Sequence, residues 1–312
     1  MTANKVESKL TNVIRDLCID NLDKTAIWGK VAEYYKERDE ILNWDDLSLE
    51  GRNHHLQIFI REKILYQGKT PCNTDELVNL YTYMYTLMHV DAFRVAKRKT
   101  DNYTFNDIYN DMYEEVLLVD FGCGPGTIPL ALAESYKSLS GLNINYIGID
   151  KQPLMLNLAK KFLESPLFTK SLHVSIDRDV IRADNGIEPK KIIFVFSYLF
   201  SQPEINKHLE SFVQRIKSIM NIHSTADNFY LMYINKDFTG ELYMENGMPK
   251  RAWAKFLDLL RSNDMVTDTL TNHIKGHDYS FRKFNNLDGN NIDKFSGSNR
   301  PVFTKLFRLY KS

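Results

Sequence analysis

The chain has 312 residues, more than the usual single domain, which predicts one large domain or two. Its 40 basic and 40 acidic residues cancel, so overall charge does not favour a nucleic acid or a membrane as partner. The three cysteines, Cys18, Cys72 and Cys123, are odd in number and far apart. This excludes a disulfide framework and a cysteine metal cluster, and it favours the reducing cytoplasm. No apolar run approaches the ~20 residues that cross a bilayer, and the N-terminus lacks the apolar core of a signal peptide, so we expect no membrane contact.

The first third of the chain is predicted to be helical. From Val6 to about Asn110 the apolar residues recur at helical intervals, and no strand-like alternation interrupts them. Residues 1–115 contain 15 basic and 20 acidic residues, so this part carries a charge of −5 and the remainder +5. We therefore predict an all-helical N-terminal region over residues 1–112, which covers the substrate or binds a protein partner, and a second domain over residues 113–312.

An aromatic segment, Tyr81–His89, stands out in this region. Thr74 or Asn73 is expected to cap the helix that carries it. The segment has more aromatic side chains than one helix face can bury. Two interpretations follow: a core helix with tyrosine hydroxyls at its edge, or a lid helix that presents Tyr83 and His89 to a substrate.

Basic and histidine residues of the same region give less specific signals. The basic segment Arg94–Lys99 suits the last turn of a helix, whose dipole favours cations, and its alternative role is a contact with phosphates. A nucleic acid therefore stays among the possible partners, although no other feature of the sequence indicates one. His54 and His55 lack further ligands at metal spacing, so we predict no metal site.

The stretch Val116–Thr127 contains the most specific functional motif of the sequence. It reads as an apolar strand that ends in Asp120, a turn with glycines at positions 122, 124 and 126, and a helix that begins at Thr127. This is the opening of a nucleotide-binding α/β unit, in which glycine lets a ligand lie on the bare main chain. A dinucleotide fingerprint would need its third glycine at position 127. An acid beside the turn would also repel a pyrophosphate, yet it suits the cationic amino-acid end of S-adenosylmethionine.

This pattern, Asp-x-Gly-x-Gly-x-Gly after a strand, resembles motif I of the class I (Rossmann-like) S-adenosylmethionine-dependent methyltransferases. The resemblance covers about Glu114–Lys311. It implies an α/β fold with a doubly wound, mostly parallel seven-stranded sheet whose last strand is antiparallel, and S-adenosyl-L-methionine as the cofactor. It also implies that the strand end and the turn contact the cofactor through Asp120, Phe121, Gly122, Cys123, Gly124, Gly126 and Thr127.

A second acid is expected at the ribose of the cofactor. A short strand ends at Asp150, 24 residues after Gly126, which is about the distance at which an acid meets a ribose diol in such folds. A carboxylate can accept from both hydroxyls, and the resemblance gives Asp150 this role. The other role open to Asp150 is the N-cap of the helix Pro153–Leu163, and the two roles can coexist. The adjoining Lys151 and Gln152 are expected at the cofactor as well.

The third and fourth strands complete the expected site. In relatives a polar residue just past the third strand forms a hydrogen bond with the adenine. Three acids are candidates for this role, Asp177, Asp179 and Asp184, and we count Asp177 among the predicted cofactor residues. The fourth strand, Lys190–Phe200, is almost continuously apolar, which suits a central parallel strand. Its end, Ser197-Tyr198, falls where ligands bind in open α/β sheets and where the family's motif IV faces the transferable methyl group.

The remaining chain predicts a closing strand pair and narrows the acceptor. Two late segments, Tyr279–Phe284 and Val302–Tyr310, look like this pair, joined by a polar linker over 285–300 that we expect to be mobile. The chain has no Asn/Asp-Pro-Pro-Tyr/Phe, and its Pro-Cys dipeptide, Pro71-Cys72, lies in the helical region. Methylation of an exocyclic amine in a DNA base and of cytosine C5 is therefore disfavoured.

The sequence thus predicts an S-adenosylmethionine-dependent methyltransferase whose acceptor is a small molecule, a protein or a structured RNA. The sulfonium is an activated donor, so the protein mainly aligns the acceptor and excludes water. An oxygen acceptor would require a general base to remove its proton, and the candidates for this base are Tyr198, His89, Tyr83 and His277. The alternative is a non-catalytic binding module that acts through a protein partner. A nicotinamide-dependent enzyme is opposed by the glycine spacing.

Overall fold

The computed structural model describes residues 3–37, 44–100, 104, 116–135, 144–168, 173–176, 188–202, 204–236, 248–270, 280–289, 292–296 and 302–311. Four predicted site residues lie outside these ranges: Asp177, Asp179, Asp184 and His277. The predicted boundary after residue 112 also lies outside them, so the division into residues 1–112 and 113–312 stays a prediction.

The described part of the N-terminal region is helical, as the spacing of its apolar residues predicts. Its long helices are α1 (Ala3–Leu17), α2 (Lys24–Lys36), α3 (Leu49–Phe59) and α4 (Asp75–Thr100), and a π-helical turn (Ile60–Ile64) follows α3. The side chains of Asp23, Ser48 and Thr74 cap α2, α3 and α4 by accepting backbone hydrogen bonds of 2.9, 3.1 and 3.2 Å. Of the two caps predicted for α4, the protein uses Thr74.

The described strands form one large sheet and a separate hairpin. They are β1 (Val116–Phe121), β2 (Ile144–Ile149), β3 (His173–Ile176), β4 (Lys191–Ser197), β5 (Asn228–Lys236), β6 (Met265–Thr269), β7 (Ser280–Phe284), β8 (Ile292–Ser296) and β9 (Val302–Lys311). The large sheet has the order β3-β2-β1-β4-β5-β9-β6. Its first five strands pair in parallel, and β9 runs antiparallel to both β5 and β6. The predicted mostly parallel seven-stranded sheet is confirmed.

The closing strand pair differs from the prediction. β9 pairs with β6, which the sequence did not reveal, and the predicted partner segment forms β7, which pairs with β8 outside the sheet. β8 also lies within the stretch 285–300 that we expected to be a linker. The two strands that were not predicted, β6 and β8, are each only five residues long and mix charged with apolar residues. Neither therefore shows the alternation of apolar and polar residues that predicts a strand.

Helices cover both faces of the sheet. α5 (Thr127–Ser135) and α6 (Pro153–Leu163) pack with α1 and α4 in one core, and α7 (Leu209–Ile222) and α8 (Met248–Ser262) form the other. Alternate side chains of β1 enter the two cores, Leu118 the first and Val119 the second. β4 is buried along its length up to Ser197, as a central parallel strand requires.

A buried ion cluster joins α4 to α5 and to the β7–β8 hairpin. The Arg282 guanidinium lies 2.6 Å from Asp91 of α4 and 2.6 Å from Glu134 of α5, and the three side chains are 3%, 6% and 4% exposed. The Arg282 backbone N–H also donates to Asp91 at 2.7 Å. Arg94 adds a second cation, 3.2 Å from Glu134. Two cations and two carboxylates balance, which offsets the cost of removing each of them from water.

Within the described residues, no helix combines the length and the apolar character needed to cross a membrane.

Replacing Arg282 by methionine should destabilise the protein strongly. The substitution leaves Asp91 and Glu134 buried without their main counter-ion, so we expect the free energy of unfolding to fall by about 3–5 kcal/mol in a urea titration at pH 7. The matched control is Arg261→Met, which removes an exposed pair with Asp258 and should change stability by less than about 1 kcal/mol. Equal effects of the two substitutions would contradict the structural role of the cluster.

Candidate functional site

The glycine turn after β1 depends on close approach of the backbone to its surroundings. Gly122, Gly124 and Gly126 all have left-handed torsions, with φ of 73°, 54° and 76°. A Cβ on Gly122 would lie 2.7 Å from Leu199 Cδ1, and one on Gly126 would lie 3.3 Å from Ala159 Cβ. A Cβ on Gly124 would meet no atom within 4 Å. The outer glycines therefore permit packing within the protein, whereas the middle one borders open space.

That open space is a cleft of about 450 Å³ at the carboxyl ends of β1, β2 and β4, where ligands bind in open α/β sheets. It brings together seven of the residues that the sequence places at the cofactor: Gly122, Gly124, Asp150, Lys151, Gln152, Ser197 and Tyr198. Five others are buried and do not line it: Asp120, Phe121, Cys123, Gly126 and Thr127. Phe121, for example, stacks on Phe196 in the core under α7, because successive side chains of β1 point to opposite faces.

The N-terminal region covers the same cleft. The loop Gly68–Cys72 and the side chain of Tyr81 on α4 form one wall. Across the opening, the Gln202 side chain after β4 donates to the Gly68 carbonyl at 3.4 Å. The sequence predicts that the N-terminal region covers the substrate, but it has no local signal that identifies Gly68–Cys72 as the covering loop.

The backbone that leads into this wall is strained. Tyr66, Gln67 and Gly68 have successive φ values of 43°, 59° and 84°. A left-handed conformation at a non-glycine residue costs of order 1–3 kcal/mol and persists where the surrounding structure imposes it. The strain lies at the edge of the cleft, next to the π-helical turn.

Asp150 is tied to the glycine turn. Its Oδ2 accepts a hydrogen bond from the Gly124 amide and its Oδ1 one from the Gln152 amide, both at 2.9 Å. Burial raises the pKa of Asp150, although these two bonds lower it. The predicted alternative role as helix N-cap is wrong in position, because α6 begins at Pro153 and Gln152 occupies the cap. Each carboxylate oxygen can accept a second hydrogen bond, so the side chain can still take two hydroxyls of a ligand.

Asp120 lies beneath the turn and does not reach the cleft. It is 1% exposed, and its Oδ2 accepts from the Tyr146 hydroxyl at 2.8 Å. Its Oδ1 has no hydrogen-bond partner among the described residues. Burial raises the pKa of Asp120 to about 7; the Tyr146 bond lowers it, and the charge of Asp150 raises it further. Asp120 is therefore a buried acid that is bound to Tyr146 of β2.

An aromatic stack joins α4 to the end of β4. Tyr198 has a left-handed backbone, with φ of 58°, and its ring stacks on His89 with centroids 4.2 Å apart. Tyr85 also stacks on His89, with ring centroids 5.9 Å apart. Tyr83, by contrast, is 2% exposed and stacks on Phe284, away from the cleft. Three of the predicted base candidates lie within the described residues. Tyr198 lines the cleft, His89 stacks on the Tyr198 ring without lining the cleft, and Tyr83 lies in the core.

No group of three or more His, Cys, Asp or Glu side chains in the described ranges is placed to hold a metal ion.

The strand arrangement identifies the fold. Five parallel strands are followed by an antiparallel strand inserted between β5 and β6. This is the class I methyltransferase fold.

Comparisons with known proteins give remote similarities. No family model matches the chain, and no curated protein sequence matches it. Among solved structures, a SAM-dependent methyltransferase from Aquifex aeolicus is 12% identical over 71% of this chain and 98% of its own, with a TM-score of 0.35. A SAM-dependent methyltransferase from Methanosarcina mazei is 14% identical over 65% of this chain and 97% of its own, with a TM-score of 0.38.

Replacing Asp120 by asparagine should remove a pH dependence of stability. The folded-state pKa of Asp120, about 7, lies above its ordinary value of 3.8, so the folded protein binds this proton more tightly than the unfolded chain. The resulting stabilisation is complete below about pH 4 and is lost as the pH rises through 7. Between pH 4.5 and 8 the wild type should lose roughly 2–4 kcal/mol more than Asp120→Asn in urea unfolding. Parallel pH profiles would show that Asp120 is ionised normally.

Proposed function

We propose that this chain is an S-adenosylmethionine-dependent methyltransferase and that the 450 Å³ cleft holds the cofactor. The observation that carries the proposal is the 2.9 Å hydrogen bond from the Gly124 amide to the Asp150 carboxylate. It holds bare main chain and a carboxylate side by side on one wall, and Gly124 leaves space that a side chain would fill. Such a wall suits a ligand that combines a hydroxyl-bearing sugar with a group lying against the backbone.

The residues of the cleft fit the separate parts of this cofactor. Asp150 would accept hydrogen bonds from the two ribose hydroxyls, for which its oxygens have the remaining lone pairs. Met155 lines the cleft and would offer the adenine an apolar surface. The main chain at Gly122 and Gly124 would face the methionine portion. When bound, the cofactor supplies a methyl group that its sulfonium activates for transfer.

We place the acceptor beside Ser197 and Tyr198, at the end of β4. Tyr81 and Cys72 line the cleft opposite the sheet, and this cover would exclude water from the reacting groups. A nitrogen or sulfur acceptor would need only alignment by these walls. For an oxygen acceptor Tyr198 is the candidate base, because it lines the cleft, whereas His89 stacks on the Tyr198 ring and does not line the cleft.

The acceptor in this proposal is a small molecule, a protein or a structured RNA. We place the enzyme in the cytoplasm, because Cys18, Cys72 and Cys123 are all free thiols. The alternative, a binding module that acts through a partner on the N-terminal helices, would hold the cofactor without transferring its methyl group. Transfer of label from S-adenosyl-[methyl-³H]methionine to cytoplasmic extract separates the two functions.

S-adenosylhomocysteine should bind the wild type in isothermal titration calorimetry, and NAD should not. Gly124→Asn should weaken this binding at least tenfold. Asparagine tolerates the left-handed backbone, so the fold is kept, while its side chain enters the space beside Gly124. The melting temperature of the variant is the control for folding. Absence of saturable heat with S-adenosylhomocysteine and the wild type would refute the proposed function.

Asp150→Ala should weaken S-adenosylhomocysteine binding by roughly 1.5–3 kcal/mol, about 10- to 150-fold, because charge-assisted hydrogen bonds to the ribose are lost. Deoxyribose analogues test the assignment directly. The wild type should discriminate against 2′-deoxy-S-adenosylhomocysteine, and Asp150→Ala should discriminate much less. If both proteins discriminate equally, the ribose lies elsewhere.

A further inference from the structure

A second cavity, of about 180 Å³, lies between α3, α4 and the β7–β8 hairpin. It shares no lining residue with the cofactor cleft. Its apolar lining includes Met84, Met88 and Phe284, of which Met88 is 5% and Phe284 2% exposed. The cavity therefore combines apolar with polar side chains, apart from the residues that the proposed methyl transfer uses.

Among the described residues, the lining of this cavity has three basic side chains and no acidic one. His54 comes from α3, Arg61 from the π-helical turn and Lys283 from the hairpin. Arg61 bonds to Glu62 through Nε at 2.9 Å, and its two terminal nitrogens bond to no other described residue. His54 likewise makes no hydrogen bond within the described ranges. The terminal nitrogens of a guanidinium form a planar pair that matches the two oxygens of a carboxylate.

A hydrogen bond to a buried side chain holds Lys283 in position. The Gln57 side chain, 8% exposed, donates to the Phe284 carbonyl at 2.7 Å and accepts from Lys283 Nζ at 2.9 Å. The ammonium is therefore held on the cavity wall by a buried amide, which lowers the entropy that a ligand must lose to engage it. Arg61 lies in a π-helical turn, a distortion that occurs frequently at functional sites.

We propose that this cavity is a second binding site, for a small carboxylate with a flat apolar body. Arg61 and Lys283 would bind the carboxylate. The thioethers of Met84 and Met88 and the ring of Phe284 would pack on the body, since sulfur and aromatic rings contact other rings favourably. The volume of 180 Å³ is about six times the share of a water molecule in the liquid, enough for one ring and its carboxylate. Inorganic phosphate would leave the apolar part unfilled.

Benzoate is the probe, titrated into the full-length protein with methionine methyl groups labelled with ¹³C. We expect saturable shifts of the Met84 and Met88 signals and no shift of Met155, which lines the cofactor cleft. Benzamide, which has the same shape without the charge, should bind at least tenfold more weakly. Inorganic phosphate should not shift the two methyl groups.

Arg61→Gln and Lys283→Gln should each weaken benzoate binding at least tenfold, and Arg261→Gln, at an exposed site on α8, should leave it unchanged. Their melting temperatures and their unchanged affinity for S-adenosylhomocysteine control for folding and keep this test separate from the cofactor proposal. The second site is refuted if benzoate shifts neither methionine, if benzamide binds equally well, or if the two cavity variants bind like the wild type. Loss of S-adenosylhomocysteine binding in the cavity variants would overturn the independence of the two sites.

Discussion

The hydrogen bond between the Gly124 amide and the Asp150 carboxylate determines the shape of the cleft. β1 and β2 pair in parallel, and each ends in a turn at the same edge of the sheet. The carboxylate at the end of β2 reaches the glycine turn after β1 and fixes the distance between the two. Because a partly buried carboxylate is costly without hydrogen bonds, the two backbone donors also stabilise the charge. The cleft is thus formed before a ligand enters it.

The three glycines of the turn meet different surroundings. A Cβ on Gly122 would lie 2.7 Å from Leu199 and one on Gly126 would lie 3.3 Å from Ala159, so a side chain at either position would displace its neighbour. Gly124 borders the open space of the cleft. The glycine pattern therefore combines two positions that are constrained by packing with one that leaves the cleft open.

Helix α4 connects the sheet to both cavities. It has 26 residues, which corresponds to roughly 39 Å at the usual rise of an α-helix. Asp91 fixes it to Arg282 and Glu134 near its middle. The preceding turns present Tyr81 to the cleft beside the glycine turn, and Met84 and Met88 to the second cavity. The two cavities therefore lie along the same helix, although they share no lining residue among the described residues.

The sequence alone determined the elements whose signals are local: the strand, glycine turn and helix at Val116–Thr127, the acid at position 150, the apolar fourth strand and the helical N-terminus. Spacing and side-chain chemistry within one short segment suffice for these, because the backbone torsions and the burial pattern are set by neighbours in the chain. Only the tertiary structure decided that β6 closes the sheet with β9, that Asp120 is buried against Tyr146, and that Arg61 and Lys283 share a cavity. These arrangements depend on contacts between residues far apart in sequence. The residues around a short strand, a buried acid or a single basic side chain do not identify the distant residue that it contacts.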